Sequence, residues 1–128
     1  MPARILVVDD YQLARRTIRT LLEWHRFNVC GEAQDGQEAI DKVIELKPDV
    51  VLLDVNMPGM NGIQLHRHLM ASQCEVPVIF ITAHGSEQGV RSQALQNGAV
   101  DYLIKPLSED TVLNAVHKAF SANRNTQG

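Results

Sequence analysis

The chain has 128 residues, 45% of them hydrophobic, and a formal net charge of −3 at pH 7. That length suits one domain with a sizeable core and is too short for two. There is no basic stripe, no apolar run near the roughly 18 residues of a membrane span, and no signal-peptide pattern at Met1-Pro2-Ala3-Arg4. Direct nucleic-acid binding, membrane insertion and secretion are therefore not expected, and a cytoplasmic location is.

Two cysteines, Cys30 and Cys74, make no disulfide framework and read as small buried hydrophobes. His66 and His68 stand two apart on an expected helix and face different ways, so they are poor zinc partners.

Arg4-Ile5-Leu6-Val7-Val8 reads as a buried strand that ends in Asp9-Asp10. Ala14, Ile18, Leu21 and Leu22 recur at helical spacing and predict a helix over 12–25. Residues 27–33 alternate more and suit a strand nearer a sheet edge. A turn at Asp35-Gly36 leads into a helix over 37–47, with Ile40, Val43, Ile44 and Leu46 on its apolar side and Pro48 at its end.

Val50-Val51-Leu52-Leu53 then runs apolar without a break and stops at Asp54. Such a strand is covered on both faces, as in a parallel sheet. The Met57-Pro58-Gly59 turn cannot continue it. Asn61 can cap a third helix to about residue 71, buried through Leu65 and Leu69. Residues 77–81 form another apolar strand, stopping at Thr82. Ser86 can cap a fourth helix over 86–97. Residues 99–104 form a fifth strand, ending at Lys105-Pro106. Ser108 caps a fifth helix with a buried stripe of Val112, Ala115, Val116, Ala119 and Phe120. The polar segment 121–128 reads as a frayed tail or linker remnant beyond a domain of residues 1–120.

Strand and helix alternate five times, which predicts an α/β domain: a five-stranded parallel sheet with helices on both faces. All its strands point one way. The groups at their ends, Asp9, Asp10, Asp54, Thr82 and Lys105, therefore gather at one edge, where open α/β sheets bind ligands. Each has an ordinary structural explanation alone; together they describe a site. Three carboxylates and one ammonium carry a net charge of −2, which a divalent cation would offset. Hard oxygen donors without His or Cys favour Mg²⁺, or Mn²⁺, over zinc. The backbone carbonyl of Asn56 is a further candidate ligand. A metal, a lysine and a hydroxyl around an ionised carboxylate suit phosphoryl transfer, with Asp54 as nucleophile.

These residues resemble the receiver domain of two-component response regulators. The resemblance covers about residues 4–120. It rests on Val7-Val8-Asp9-Asp10, on Leu53-Asp54-Val55-Asn56-Met57-Pro58-Gly59-Met60-Asn61-Gly62, on Ile81-Thr82-Ala83 and on Gly98-Ala99-Val100-Asp101-Tyr102-Leu103-Ile104-Lys105-Pro106. It implies a single flavodoxin-like domain with strand order 2-1-3-4-5 and five helices. It also implies that Asp54 takes a phosphoryl group from a histidine kinase or phosphotransfer protein. Asp9, Asp10, Asp54 and the Asn56 carbonyl would hold Mg²⁺, Thr82 and Lys105 would contact the phosphoryl group, and the Lys105–Pro106 bond would be cis. Tyr102 falls at the family's switch aromatic, which turns inward as the threonine moves.

Tyr11 stands after the acidic pair where many members have a polar or charged residue, which alters the pocket's rim. Asn56 and His84, each two residues from a site residue, are expected to tune the lifetime of the phosphate. The fourth helix, anchored only by Val90, Ala94 and Leu95 and interrupted by Gly89, is expected to shift on phosphorylation together with the fifth strand and fifth helix. That movement would change the surface offered to a downstream protein, an output domain or a phosphorylation-dependent dimer partner. Two other readings stand beside this one. A pseudo-receiver would bind partners without phosphorylation. A small Mg²⁺-dependent phosphatase would usually carry a second Asp where this chain has Asn56.

Overall fold

The computed structural model describes residues 3–55, 57, 59, 62–72, 76–82, 98–105 and 107–127. In chain order the elements are β1 (Arg4–Val8), α1 (Gln12–Trp24), β2 (Asn28–Ala33), α2 (Gly36–Leu46), β3 (Val50–Asp54), α3 (Gly62–Ala71), β4 (Val78–Thr82), β5 (Asp101–Ile104) and α4 (Glu109–Gln127). The five strands form one parallel sheet in the order β2-β1-β3-β4-β5, as expected. The described residues hold four helices. The segment 86–97, expected to form a further helix, lies outside them, as do Asn56, Pro58, Asn61, Cys74, His84 and Pro106.

Alternation along the strands sends successive side chains to opposite faces of the sheet. Ile5, Val7, Leu52, Ile79, Ile81 and Leu103 join Ile18 and Leu22 of α1 and the Val112, Ala115, Val116 and Ala119 stripe of α4. Leu6, Val8, Val51, Leu53 and Phe80 join Ala39, Ile40 and Val43 of α2 and Leu65 and Leu69 of α3. Two cores on two faces explain why β3 and β4 are apolar up to the Asp54 and Thr82 that close them, and both are buried throughout.

Three local expectations change. Asp35 does more than turn the chain: its carboxylate accepts the Glu38 N–H at 2.8 Å and caps α2. Ile44, expected on the buried side of α2, is 60% exposed, and Ala39 takes the inward position. The buried stripe of α2 runs through Ala39, Ile40 and Val43 and leaves Ile44 outside it. The tail does not fray at residue 121, because α4 continues to Gln127. No Gly or Pro interrupts residues 109–127, so a helix nucleated on the buried stripe propagates to the next glycine.

Two helices end on non-glycine residues in left-handed conformations, Arg26 (φ 67) after α1 and Lys47 (φ 49) after α2. Ser108 accepts the Thr111 N–H at 3.2 Å and caps α4, as expected. Cys30 sits at an irregularity in the β1–β2 pairing, where the register passes from Val29 to Gly31. It is half-buried on the edge strand rather than buried as expected, donates to the Ile5 carbonyl at 3.5 Å, and burial pushes its thiol pKa up.

Candidate functional site

Each strand-end group stands where the parallel sheet should bring it. Asp9 follows β1, Asp54 closes β3, Thr82 closes β4 and Lys105 follows β5. The pairing fixes their relative height: Val8 lies beside Leu53, Asp54 beside Ile81, and Thr82 beside Ile104. Asp9 (1% exposed), Asp54 (5%) and Thr82 (0%) are buried, whereas Asp10 is exposed and opens the cluster to solvent. Carboxylate oxygens of Asp9, Asp10 and Asp54 all lie within 4.8 Å of one another.

Like charges at that separation repel by roughly 3 kcal/mol per pair at an effective dielectric of about 20. Lys105 relieves part of this, its Nζ donating to Asp9 Oδ2 at 3.1 Å. The other Asp9 oxygen accepts the Tyr11 N–H at 2.9 Å, and the Asp9 N–H reaches the Ala33 carbonyl at 3.0 Å. One ammonium among three carboxylates leaves an excess of negative charge. Three hard oxygen donors, two buried and one open to solvent, fit Mg²⁺ and its retained waters.

The backbone behind Asp54 is tightly engaged. The Val55 N–H donates to the Ile81 carbonyl and the Gly62 N–H to the Val55 carbonyl, both at 2.9 Å. A Cβ on Gly62 would stand 2.6 Å from the Asp54 carbonyl oxygen and 2.9 Å from the Val55 Cα. Only glycine lets α3 begin this close to the end of β3. On the other side, the Lys105 N–H donates to the Thr82 carbonyl at 2.7 Å, so β4 and β5 deliver their site residues together.

Tyr102 pairs with Phe80 and is buried (5% exposed); its hydroxyl has no hydrogen-bond partner among the described residues. Tyr11 is 59% exposed and lines an apolar groove of about 410 Å³ with Leu13, Leu21, Lys105, Leu107 and Val112. Of the strand-end groups, this groove shares only Lys105 among the described residues.

Two residues escaped the sequence reading. Arg15, in the second turn of α1, donates to the Asp9 carbonyl at 2.6 Å and to Glu32 at 3.1 Å. Glu32 also accepts from Arg19 at 2.7 Å. Burial pushes the Glu32 carboxyl up, but the Arg19 and Arg15 guanidiniums outweigh it and hold its pKa below the usual range. Glu32 in turn raises the pKa of Arg19. The only sequence signal was an arginine one turn into the helix after an acidic pair.

Comparison with known proteins agrees with this geometry. The profile of the response regulator receiver domain matches residues 5–117. The chain belongs to the response regulator receiver domain family. This receiver domain is 39% identical over 116 residues to the chemotaxis protein CheY of Listeria monocytogenes, covering 91% of this chain and 97% of that one. It is 36% identical to CheY of Thermotoga maritima, over 92% of this chain and 98% of the other. It is 34% identical to the transcriptional regulatory protein DegU of Brevibacillus brevis, of which it covers 48%.

Among solved structures, the receiver domain of the response regulator NarL from Mycobacterium tuberculosis matches with a TM-score of 0.87 at 35% identity, covering 94% of this chain and 97% of that one. The CheX–CheY–BeF3–Mg+2 complex from Borrelia burgdorferi matches with a TM-score of 0.87 at 33% identity, over 94% and 90% of the two chains. The domain is thus a CheY-like receiver of two-component response regulators. No helix among its described residues is long and apolar enough to cross a membrane.

Proposed function

We propose that this receiver accepts a phosphoryl group on Asp54 from the phosphohistidine of a histidine kinase or phosphotransfer protein, in the cytoplasm, and passes the signal on through its surface. The observation that carries the reading is the convergence of Asp9, Asp10 and Asp54 within 4.8 Å, with Lys105 on Asp9. Asp9, Asp10 and Asp54 would hold Mg²⁺, with the Asn56 carbonyl as a further ligand. Bound there, the cation offsets charge on the carboxylates and on the phosphoryl oxygens. The B. burgdorferi neighbour, solved with BeF3 and Mg+2, supports that chemistry by similarity.

An Asp54 carboxylate oxygen attacks phosphorus as the phosphorus–nitrogen bond breaks. The electron pair returns to the donor imidazole, which takes a proton from solvent. No general base is needed when the nucleophile is a carboxylate rather than a hydroxyl. Lys105 exchanges Asp9 for a phosphoryl oxygen, and the Thr82 hydroxyl donates to another. The donor approaches past exposed Asp10 and Tyr11. Asn56 and His84 tune how long the phosphate lasts. Signalling follows from movement of Thr82 and its neighbours Tyr102, β5 and α4, together with residues 86–97. The altered face would meet a downstream protein, an output domain or a second copy of the domain. The chemistry is confined to the domain's own phosphorylation and dephosphorylation, so this is a signalling module rather than an enzyme.

Radiolabel carried by a phosphorylated histidine kinase should appear on the wild-type chain and be lost in Asp54→Asn. Label that persists in Asp54→Asn sinks the assignment. No transfer from any phosphodonor would favour the pseudo-receiver.

A further inference from the structure

The exposed member of the carboxylate cluster has nothing of its own to hold it. Asp9 is fixed through both carboxylate oxygens, by the Tyr11 N–H and by Lys105, and through its N–H on Ala33. Asp10 makes no hydrogen bond among the described residues, yet its carboxylate lies within 4.8 Å of the other two. The peptide plane that precedes it is one determinant of where its Cα–Cβ bond points. The oxygen of that plane, the Asp9 carbonyl, is the atom that Arg15 holds at 2.6 Å.

We infer that Arg15 is a positioning residue for the metal site: clamped by Glu32, it orients the Asp9–Asp10 peptide and so aims Asp10 at the cation. The inference rests on the phosphoacceptor reading above. The clamp is well made. The Arg15 side chain is 12% exposed, and Glu32, aligned with Val7 in the β1–β2 pairing, takes its Nε at 3.1 Å. The second Glu32 oxygen takes Arg19, which also pairs with Glu23 at 3.0 Å, while Lys42 donates to the Glu32 carbonyl. Arg15 and Arg19 thus take separate oxygens of Glu32, and Lys42 anchors the Glu32 backbone from α2. A charged donor on a carbonyl makes a stronger hydrogen bond than a neutral one. Outer partners of metal ligands act by orienting those ligands. Arg19 shares Glu32 but does not touch Asp9, which gives an internal control.

The test is a titration with MgCl₂ alone, followed by amide NMR shifts, on the full chain. Loss of an outer partner typically weakens metal binding by 10–100-fold, so Arg15→Met should raise the Mg²⁺ dissociation constant by at least about tenfold. Arg15→Lys, which can still reach a carbonyl but cannot fork onto Glu32, should recover part of that loss. Arg19→Met should stay within about twofold of wild type, because the Asp9 carbonyl keeps its donor. Binding within about twofold of wild type in Arg15→Met overturns the inference, as does an equal loss in Arg19→Met, which would show only general loosening. If Arg15→Met does not fold, Glu32→Gln carries the test, with an expected loss of about threefold, and unchanged affinity there overturns the inference. The two readings fail separately. Wild type that binds no Mg²⁺, or binds it equally well as Asp10→Asn, defeats the metal site itself, whereas Mg²⁺ binding that needs Asp10 but not Arg15 defeats only the present inference.

Discussion

Lys105 Nζ and Asp9 Oδ2 meet at 3.1 Å across 96 positions of sequence. The ammonium occupies a carboxylate oxygen that the proposed Mg²⁺ would also use. Removing it has two opposed effects. Lys105→Met frees that oxygen and removes a nearby positive charge, so Mg²⁺ binding should tighten by roughly threefold to tenfold. Phosphorylation of Asp54 by a small phosphodonor should slow by about 100-fold or more, because the proposed donor to the transferred group is lost. Calorimetric Mg²⁺ titration and labelling kinetics measure the two arms. Weaker Mg²⁺ binding in this variant would count against the competition between lysine and metal.

Gly62 leaves no room for a methyl group, with the Asp54 carbonyl oxygen 2.6 Å from where a Cβ would stand. The obstacle is backbone, which cannot rotate away as a flexible side chain can. Gly62→Ala should therefore push α3 off the end of β3 and cost about 1–3 kcal/mol. Urea denaturation reads the stability loss. Phosphorylation should fall further than folding alone accounts for, since the displaced atoms belong to the proposed phosphoacceptor residue.

His66 is buried (2% exposed) and meets the Phe80 ring edge-on at 5.3 Å. Burial lowers its pKa below the usual value. The unfolded chain then binds the proton more readily than the folded one. Stability is fully present above the unfolded value of about 6.5 and is lost as pH falls from there toward the folded pKa, at no more than roughly 1.4 kcal/mol per pH unit. Urea midpoints across that window should decline more steeply for wild type than for His66→Gln. Equal slopes would show that the imidazole accepts its proton without cost in the folded state.

Lys47 closes α2 in a left-handed conformation with φ of 49°. A side chain there costs about 1–2 kcal/mol. Glycine removes that strain but makes the unfolded chain more flexible, by about 0.4–1 kcal/mol. The difference favours Lys47→Gly by roughly 0.5 kcal/mol, seen as a higher urea midpoint with an unchanged slope. A lower midpoint would mean that the lysine side chain makes a compensating contact.

Most of the architecture was legible because burial leaves a periodic trace. The unbroken runs ending at Asp54 and Thr82 read as strands covered on both faces, and the Val112–Ala119 stripe as a helix against the sheet, and both readings hold. A parallel sheet then puts all strand ends on one edge, so Asp9, Asp10, Asp54, Thr82 and Lys105 could be grouped before any coordinate was known. Periodicity failed at the margins of the buried faces. Ile44 fits the helical repeat and is exposed, and the polar residues after 120 stay helical because an anchored helix needs no apolar residue to continue.

What the chain's sequence determined by itself was the fold class, the family and the set of groups at the site, all of which follow from residue type and spacing. Only the tertiary structure decided which polar atoms meet. Lys105 sits on Asp9, Arg15 holds the Asp9 carbonyl, Glu32 holds Arg15, and Tyr102 is buried. Hydrogen bonds act over about 3 Å and depend on angle, so they carry no periodic signature along the chain. They exist only after the sheet has brought residues tens of positions apart to the same edge.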